Sequence, residues 1–94
     1  LHDAVHVLAF DDGALVSHAC WIARPLWPAG DGAPLHTAYV EAVATDPAHQ
    51  RRGHATRVLR ALGTAIADPA LGFACGILSP SDRAFYARLG WEPW

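Results

Sequence analysis

Apolar and polar residues alternate along the first part of the chain in the pattern that predicts β-strands. Residues 2–10, "HDAVHVLAF", place three apolar side chains on one side of an extended segment, namely Val5, Val7 and Ala9. Residues 14–27, "ALVSHACWIARPLW", form a second apolar run. The intervening residues 11–13, Asp-Asp-Gly, are a turn sequence, so the two runs are predicted to pair as a β-hairpin.

Proline and glycine mark the next boundaries. Pro25 and Pro28 are predicted to end the second strand, because proline cannot donate to a sheet ladder. Residues 28–36, "PAGDGAPLH", are rich in turn formers and are predicted to be an exposed connection. Residues 37–45, "TAYVEAVAT", contain β-branched and aromatic residues, which predicts a third strand.

The spacing of apolar residues changes to a helical period in the second half of the chain. Over residues 51–67 one stripe of the predicted helix is apolar, comprising Ala55, Val58, Leu59, Leu62 and Ile66. The polar residues of the opposite face are Arg57, Arg60 and Thr64. Asp68-Pro69 is predicted to end this helix.

A short strand and a second helix follow. Residues 73–79, "FACGILS", are almost wholly apolar, which is typical of a strand covered on both faces. Residues 79–90, "SPSDRAFYARLG", predict a helix whose start is set by Ser79 as cap, Pro80 at the first position and Asp82 in a capping box. Gly90 is predicted to end it in a left-handed conformation.

The order β-β-β-α-β-α predicts an α/β fold with a mixed sheet, in which an antiparallel meander lies beside one right-handed parallel βαβ unit. The 94 residues suffice for one small domain, assigned to residues 1–94. With 52% hydrophobic residues and four tryptophans, the chain is predicted to be globular.

Charge and hydropathy narrow the classes of partner. The formal net charge is −2, which argues against non-specific nucleic-acid binding. No apolar run is long enough to cross a bilayer, and no segment has the layout of a signal peptide. We therefore expect a cytoplasmic protein without a nucleic-acid or membrane partner.

The cysteines and histidines show no disulfide or metal-binding pattern in the sequence. Cys20 and Cys75 each lie in an apolar run and are predicted to be buried small hydrophobes rather than disulfide partners. The six histidines lack the spacing of known zinc motifs. His2 and His6 are four residues apart, but in a predicted strand that spacing does not form a helical ligand pair. We therefore predict no metal.

The basic stretch at residues 49–62, "HQRRGHATRVLRAL", connects the third predicted strand to the first helix. Its arginines fit a solvated helix start, a nucleic-acid contact or a site for a phosphate group. The first amides of a helix lack intrahelical partners and lie at the positive end of the helix dipole. A glycine such as Gly53 lets the backbone approach an anion closely. The loop alone leaves pyrophosphate binding and simple solvation both open.

Two motifs resemble those of the GCN5-related N-acetyltransferase (GNAT) superfamily. "QRRGHA" at residues 50–55 resembles its acetyl-CoA signature Q/R-x-x-G-x-G/A, and "RAFYARLGW" at residues 83–91 resembles its second signature. The resemblance is closest to the aminoglycoside 2′-N-acetyltransferases, through "ALVSHACWIARPL", "YVEAVAT" and "GILSPSDRAFYARLGWEPW". It implies a GNAT-like core and an enzyme that transfers an acetyl group from acetyl-CoA, without a metal, to the primary amine of an aminoglycoside or polyamine-like acceptor.

The resemblance also implies which residues bind the donor. Backbone amides of the loop would hold the CoA pyrophosphate, in a set comprising Gln50, Arg51, Arg52, Gly53, His54 and Ala55. The strand before the loop would contain a bulge, and its main chain would pair with pantetheine through Ala42, Val43 and Ala44. An N–H of that segment could face the thioester carbonyl. An exposed histidine remains the alternative for His54.

Two side chains would carry the chemistry. Tyr86 matches the tyrosine that acts as general acid toward the departing thiolate in the superfamily. Its alternative role is core packing, because Phe85, Tyr86 and Leu89 have the spacing of a helical stripe. Glu41 would act as general base, through water, on the substrate ammonium. Its alternatives are attraction of a cationic substrate and a rim position on an exposed face.

The sequence departs from the superfamily pattern at both ends. We expect the chain to lack the usual first strand and helices, which wall the acceptor site, and the two strands that follow "GW". The last parallel strand would then have an uncovered edge, which leads us to expect pairing as a homodimer. The alternative function from a different class is a CoA-binding or assembly module with little turnover.

Overall fold

The strands and helices follow one another in the predicted order β-β-β-α-β-α. The computed structural model describes residues 4–27 and 32–93. The elements are β1 (Val5–Asp11), β2 (Ala14–Leu26), β3 (Leu35–Thr45), α1 (His54–Ile66), β4 (Cys75–Ile77) and α2 (Arg83–Arg88). The four strands form one sheet in the order β1-β2-β3-β4, in which only the β3–β4 pair is parallel. The predicted α/β fold class is therefore confirmed.

The first two strands form the predicted hairpin. Asp11 pairs with Ala14, so the turn consists of Asp12 and Gly13 alone. Both have positive φ, 51° and 82°. Two left-handed residues are what a two-residue hairpin turn of the primed type requires, and aspartate and glycine tolerate them best.

The predicted stop at Pro25 was wrong, because β2 continues through it to Leu26 and Pro25 pairs with His36 of β3. The pairing of β1 ends at Val5, opposite Trp21. Beyond that point β2 has one strand partner within the described residues, so a proline that cannot donate is tolerated on the other side. Of the predicted connection at residues 28–36, residues 28–31, which include Pro28, lie outside the described residues, and Leu35 and His36 belong to β3.

The core lies between one face of the sheet and α1. It contains Ala19 and Trp21 of β2, Ala38 and Val40 of β3, and Val58, Leu59 and Leu62 of α1. These helix residues are the centre of the predicted apolar stripe, and the predicted outward residues Arg57, Arg60 and Thr64 are exposed. Within the described residues, no helix combines the length and apolar character needed to span a membrane.

Both helices begin later than predicted. The first starts at His54 rather than near Arg51, because Arg51 and Gly53 have left-handed φ values of 64° and 79°. The second starts at Arg83, and its cap is Asp82, whose Oδ1 accepts from the Phe85 amide at 3.1 Å. Ser79 is therefore not the cap. The left-handed conformation predicted for Gly90 is confirmed, with φ 94°.

The two cysteines differ in burial. Cys20 is 2% exposed, as predicted, whereas Cys75 is exposed, so its predicted burial was wrong. The physical reason is that β4 has only three residues and lies at the edge of the described sheet, where Cys75 is its first residue. Both thiols are free in this structure.

Candidate functional site

A bulge interrupts β3 next to the end of the sheet. Cys20 of β2 pairs with Glu41, but His18, two residues earlier, pairs with Ala44, three residues later. The extra residue on β3 coincides with Ala42, a non-glycine residue with φ 55°. A bulge bends its strand and increases the local twist. The bulge expected from the sequence resemblance is present at this position.

The sheet opens next to this bulge. The parallel pairing of β3 with β4 covers only Thr37 to Tyr39, opposite Cys75 to Ile77. Residues 40–45 of β3 continue without a β4 partner among the described residues. An extended ligand could therefore add to this side of β3 through main-chain hydrogen bonds, as a further strand would.

The loop after β3 leads into α1 through a strained turn. Asp46 caps a short 3-10 turn, Pro47–His49, and its Oδ1 accepts from the Ala48 amide at 3.1 Å. Arg51 and then Gly53 adopt positive φ, and Gly53 occupies the position before the first helical residue. Glycine has no Cβ to penalise that conformation.

The N-terminus of α1 is open to an external acceptor. No side chain of the described residues caps it, and its first turn carries no acidic residue. The Arg57 amide donates to the Gly53 carbonyl at 3.0 Å, so the free amides belong to His54, Ala55 and Thr56. Uncapped amides at the positive end of a helix dipole favour an anion.

A main cleft of about 590 Å³ lies between this loop, the end of β3 and α2. The predicted donor-binding residues that line it are Val43, Ala44, Gln50, Arg51, Gly53, His54 and Ala55. Arg52 does not line it; its exposed guanidinium lies 3.9 Å from the Asp11 carboxylate instead. Ala42 lines a smaller neighbouring cavity of about 260 Å³.

Tyr86 belongs to both spaces. It lines the main cleft and the smaller cavity, and Val43 and Ser81 are the other residues shared by the two. The half-buried ring meets Phe85 and Trp91 edge to face, with centroid distances of 5.2 and 6.4 Å. It also packs against the core, so the packing role considered from the sequence and a position at the cleft coexist.

The pKa of Tyr86 is raised above its ordinary value, chiefly by burial of the phenol and secondly by the Asp82 carboxylate. A raised pKa keeps the phenol protonated at neutral pH. The proton is therefore available at the wall between the two spaces, which is the form a general acid needs.

Glu41 lies on β3 one residue before Ala42 and is half-buried. It lines the smaller cavity together with Tyr86. Its carboxylate acts on the neighbouring Cys20, whose pKa is raised by burial first and by Glu41 second. The structure therefore brings the two predicted catalytic residues to one cavity.

His54 differs from the expectation of an exposed histidine, because it is only 6% exposed. Its Nδ1 contacts the Arg57 guanidinium. Its Nε2 has no hydrogen-bond partner within the described residues, and the nearest carboxylate oxygen, of Asp11, is 3.9 Å away. His54 is therefore a buried residue that lines the main cleft.

Several residues of the main cleft were not predicted from the sequence as site residues. These are Thr45, His49, Thr56, Ser81, Asp82, Phe85 and Arg88. Phe85 and Arg88 are three residues apart in α2, the spacing of one helical side, so periodicity could have indicated these two. Arg88 is of particular interest because it adds a second cation to Arg51 around the cleft.

The raised pKa of Tyr86 predicts a loss of stability in alkali. The folded state favours the protonated phenol, so this stabilisation is complete below the unfolded pKa of about 10 and is lost as pH rises through the higher folded pKa. Urea unfolding at about pH 8 and about pH 11 should therefore show a larger fall in the free energy of unfolding for the wild type than for Tyr86→Phe. An equal fall in both would contradict the raised pKa.

Comparison with known proteins gives one family. The model of a family described as "Acetyltransferase (GNAT) domain" matches residues 2–94. A Xanthomonas campestris protein described as a GNAT-family acetyltransferase is 28% identical, with a TM-score of 0.70 over 98% of this chain and 58% of its own. Eis1 from Mycobacterium abscessus is 29% identical, with a TM-score of 0.78 over 90% of this chain and 21% of its own.

A third structure shares the fold. A Clostridium acetobutylicum acetyltransferase solved with acetyl-CoA is 18% identical, with a TM-score of 0.77 over 99% of this chain and 60% of its own. The chain also spans 57–64% of the length of three further structures of this fold. It therefore corresponds to about three fifths of five of these six structures and to 21% of the sixth.

Proposed function

Because this chain belongs to the GNAT acetyltransferase family, we propose that it binds acetyl-CoA in the main cleft and transfers the acetyl group to a primary amine. One observation carries the proposal. Tyr86 lies on the wall shared by the main cleft, which contains the open helix N-terminus, and the smaller cavity, which contains Glu41. A donor in the first space and an acceptor in the second would meet beside its hydroxyl.

The pyrophosphate would bind at the start of α1. Backbone amides from Gln50 to Ala55 would donate to its oxygens, with Gly53 holding the loop in the required left-handed turn. Arg51 and Arg88 line the same cleft and would neutralise part of the charge. The Arg52 guanidinium is not one of these cations, because it lies toward Asp11.

The pantetheine arm would run along the unpaired side of β3. Main-chain groups of Ala42, Val43 and Ala44 would pair with its amides at the bulge, where β4 no longer occupies that side. An N–H of this segment would then donate to the thioester oxygen and stabilise the charge that develops there. Such stabilisation needs no side chain.

The transfer would proceed by direct attack. Glu41, acting through water, would take a proton from the ammonium, and the neutral amine would form a C–N bond at the thioester carbon. The C–S bond would then break, the Tyr86 hydroxyl would give its proton to the thiolate, and the surplus proton on the new amide nitrogen would return through water to the tyrosinate. The ordinary pKa of a phenol, about 10, lies above that of a thiol, about 8.5, and the raised pKa of Tyr86 widens this gap. The proton transfer is therefore unfavourable as an isolated step and would be driven by formation of the amide.

The acceptor is proposed to be a polycationic amine of the aminoglycoside or polyamine class. Two features support this: the resemblance of three sequence segments to the aminoglycoside 2′-N-acetyltransferases, and the Glu41 carboxylate in the smaller cavity. A carboxylate at that position attracts a cation before it acts as a base.

Thiol release from acetyl-CoA, measured with aminoglycosides, polyamines and neutral amines, tests the activity. Acetyl-CoA binding with amine-dependent release is the expected result. Binding without release for every amine would support the alternative, a CoA-binding or assembly module. Failure to bind acetyl-CoA would contradict both functions.

Replacing Gly53 by alanine should raise the Kd for acetyl-CoA about tenfold, or ~1.4 kcal/mol. A Cβ at φ 79° costs about 1–2 kcal/mol, and the loop would relieve the strain by turning its amides away from the pyrophosphate. Calorimetric titration of wild type and variant measures the change.

Gly72→Ala is the matched control. Gly72 has φ 72° and, like Gly53, open space around the position of a Cβ, but it does not line the main cleft. It should lose similar stability without a change in Kd. Equal changes in Kd for both variants would show that the effect of Gly53 is general destabilisation.

Association and location complete the proposal. β4 is a short edge of the described sheet, and we propose that two copies pair there as a homodimer. Sedimentation that shows a compact monomer at high concentration would contradict this pairing. We also propose that the protein is cytoplasmic and uses acetyl-CoA in that compartment.

A further inference from the structure

Three potential metal ligands lie together on the face of the sheet opposite α1. They are His6 of β1 and His18 and Cys20 of β2, and one ligand atom from each lies within 4.8 Å of the others. Ala19 and Trp21 face the core beneath α1, so the alternation of β2 directs His18 and Cys20 to the other face. His6 pairs directly with Cys20 across the hairpin. The cluster is therefore built by strand register.

The orientation of His18 suits a metal ligand. Its Nδ1 lies 3.0 Å from the carbonyl oxygen of Ala42, and a carbonyl can only accept, so Nδ1 carries the hydrogen. In the neutral ring, Nε2 then presents a lone pair, which accepts from Nδ1–H of His6 when no ion is bound. Metal-binding histidines characteristically donate their second ring N–H to a carbonyl or carboxylate, which fixes the ring and its tautomer.

That lone pair is directed into the cluster. Nε2 of His18 lies 2.8 Å from Nδ1 of His6, and the two rings stack with centroids 5.0 Å apart. Ligand atoms that share one zinc ion at about 2.0–2.3 Å are at most roughly 4.5 Å apart. Small rotations of these side chains, with the His6 hydrogen moved from Nδ1 to Nε2 and the Cys20 thiol deprotonated, would therefore admit an ion between the two nitrogens and the sulfur.

We propose that His6, His18 and Cys20 form a binding site for a divalent late transition-metal ion of the zinc class. Two imidazoles and one thiolate bind zinc in preference to magnesium or calcium, which favour oxygen ligands. Within the described residues the cluster supplies three ligand atoms, which leaves the fourth tetrahedral position to water or an added ligand. His6 is exposed and His18 half-buried, so an ion can enter from solvent, while Cys20 anchors the buried end.

The site is separate from the proposed acetyl transfer, because none of its three ligands lines the main cleft or the smaller cavity. It touches that region through the main chain of β3, where the Cys20 thiol lies 3.5 Å from the Glu41 carbonyl oxygen and His18 contacts the Ala42 carbonyl. The Ala42 carbonyl that orients His18 belongs to the bulge residue of β3. Ala42, with its positive φ, therefore lies both at the point where the sheet opens and next to the His18 ring that its carbonyl orients.

The test uses the full chain, freed of metal with a chelator and kept reduced, titrated with Zn²⁺ by calorimetry and with Co²⁺ by absorption. We expect saturation at one ion per chain. The Co²⁺ complex should show a thiolate-to-cobalt charge-transfer band together with strong visible bands of tetrahedral geometry. A wild-type chain that binds no ion, or binds Co²⁺ without the thiolate band, would overturn the proposal.

Variants assign the ligands. Cys20→Ser should abolish the charge-transfer band, and His6→Gln, at an exposed position that is compatible with folding, should weaken Zn²⁺ binding about 10- to 100-fold. Cys75→Ser is the matched control, because it removes the other, exposed thiol and should leave the band and affinity unchanged. A band lost in Cys75→Ser but kept in Cys20→Ser, or full affinity in His6→Gln, would contradict the assignment.

Discussion

Replacing Tyr86 by phenylalanine is expected to lower kcat for acetyl transfer about 100- to 10,000-fold, the usual range for loss of a positioned general acid. The change removes one oxygen and keeps the ring that packs against Phe85, Trp91 and the core. The affinity for acetyl-CoA should therefore stay nearly constant. Steady-state thiol release and calorimetric titration on the same preparation separate the two quantities.

Tyr39→Phe is the control for this prediction, since the chain has only two tyrosines. The Tyr39 hydroxyl lies 3.3 Å from the Ser79 hydroxyl, and its loss should reduce kcat far less. If Tyr86→Phe keeps the wild-type kcat, or if both variants lose the same factor, Tyr86 is not the acid and serves the fold alone.

Replacing Glu41 by glutamine is expected to reduce kcat by a similar factor near neutral pH, about 100- to 10,000-fold. The side chain keeps its size at the half-buried position next to the bulge but can no longer accept the ammonium proton. The deficit should shrink as pH rises toward the pKa of the amine, about 10 for an alkylamine, because the substrate then arrives neutral. A pH profile of kcat for wild type and variant measures this.

The same experiment separates the two roles of Glu41. If the carboxylate only attracts the cation, Glu41→Gln should raise KM and leave kcat unchanged. Glu92→Gln is the control, because it removes one negative charge at an exposed position that lines neither space. A deficit in kcat that is independent of pH would count against the base.

The parts of the fold that depend on local pattern were predictable from the sequence. The Asp12-Gly13 turn and the apolar stripe of α1 are fixed by residues that are close in the chain. The start of α1 was not predictable, because Arg51 has a positive φ although it is neither glycine nor asparagine. The continuation of β2 through Pro25 was missed because it depends on where β1 ends.

The parts of the site that lie in the loop before α1 and at the Tyr86 position of α2 were predictable from the sequence. Most of the expected donor-binding residues line the main cleft, and Glu41 and Tyr86 share a cavity. The direction of the Arg52 side chain depends on Asp11 of another strand, which the linear sequence does not reveal. The burial of His54 likewise depends on where the helix begins.

The cluster of His6, His18 and Cys20 could not be predicted from the sequence, because it depends on the register in which β1 and β2 pair. Counting outward from Asp11 opposite Ala14, a regular hairpin would pair His6 with Ala19, since both lie five residues further along. The observed partner is Cys20, because the pairing shifts by one residue between Ala9 and Phe10. A shift of one residue exchanges the two faces of a strand. Motif spacing alone therefore indicated no metal site.

The account rests on acetyl-CoA binding at the loop that precedes α1, and amide chemical shifts of the ¹⁵N-labelled full chain during a titration with acetyl-CoA test this most directly. The largest changes should occur at His54, Ala55 and Thr56, with a second group at Val43, while Gly72 stays unchanged. Saturation without shifts at the first turn of α1, or no shifts at any concentration, would contradict the account.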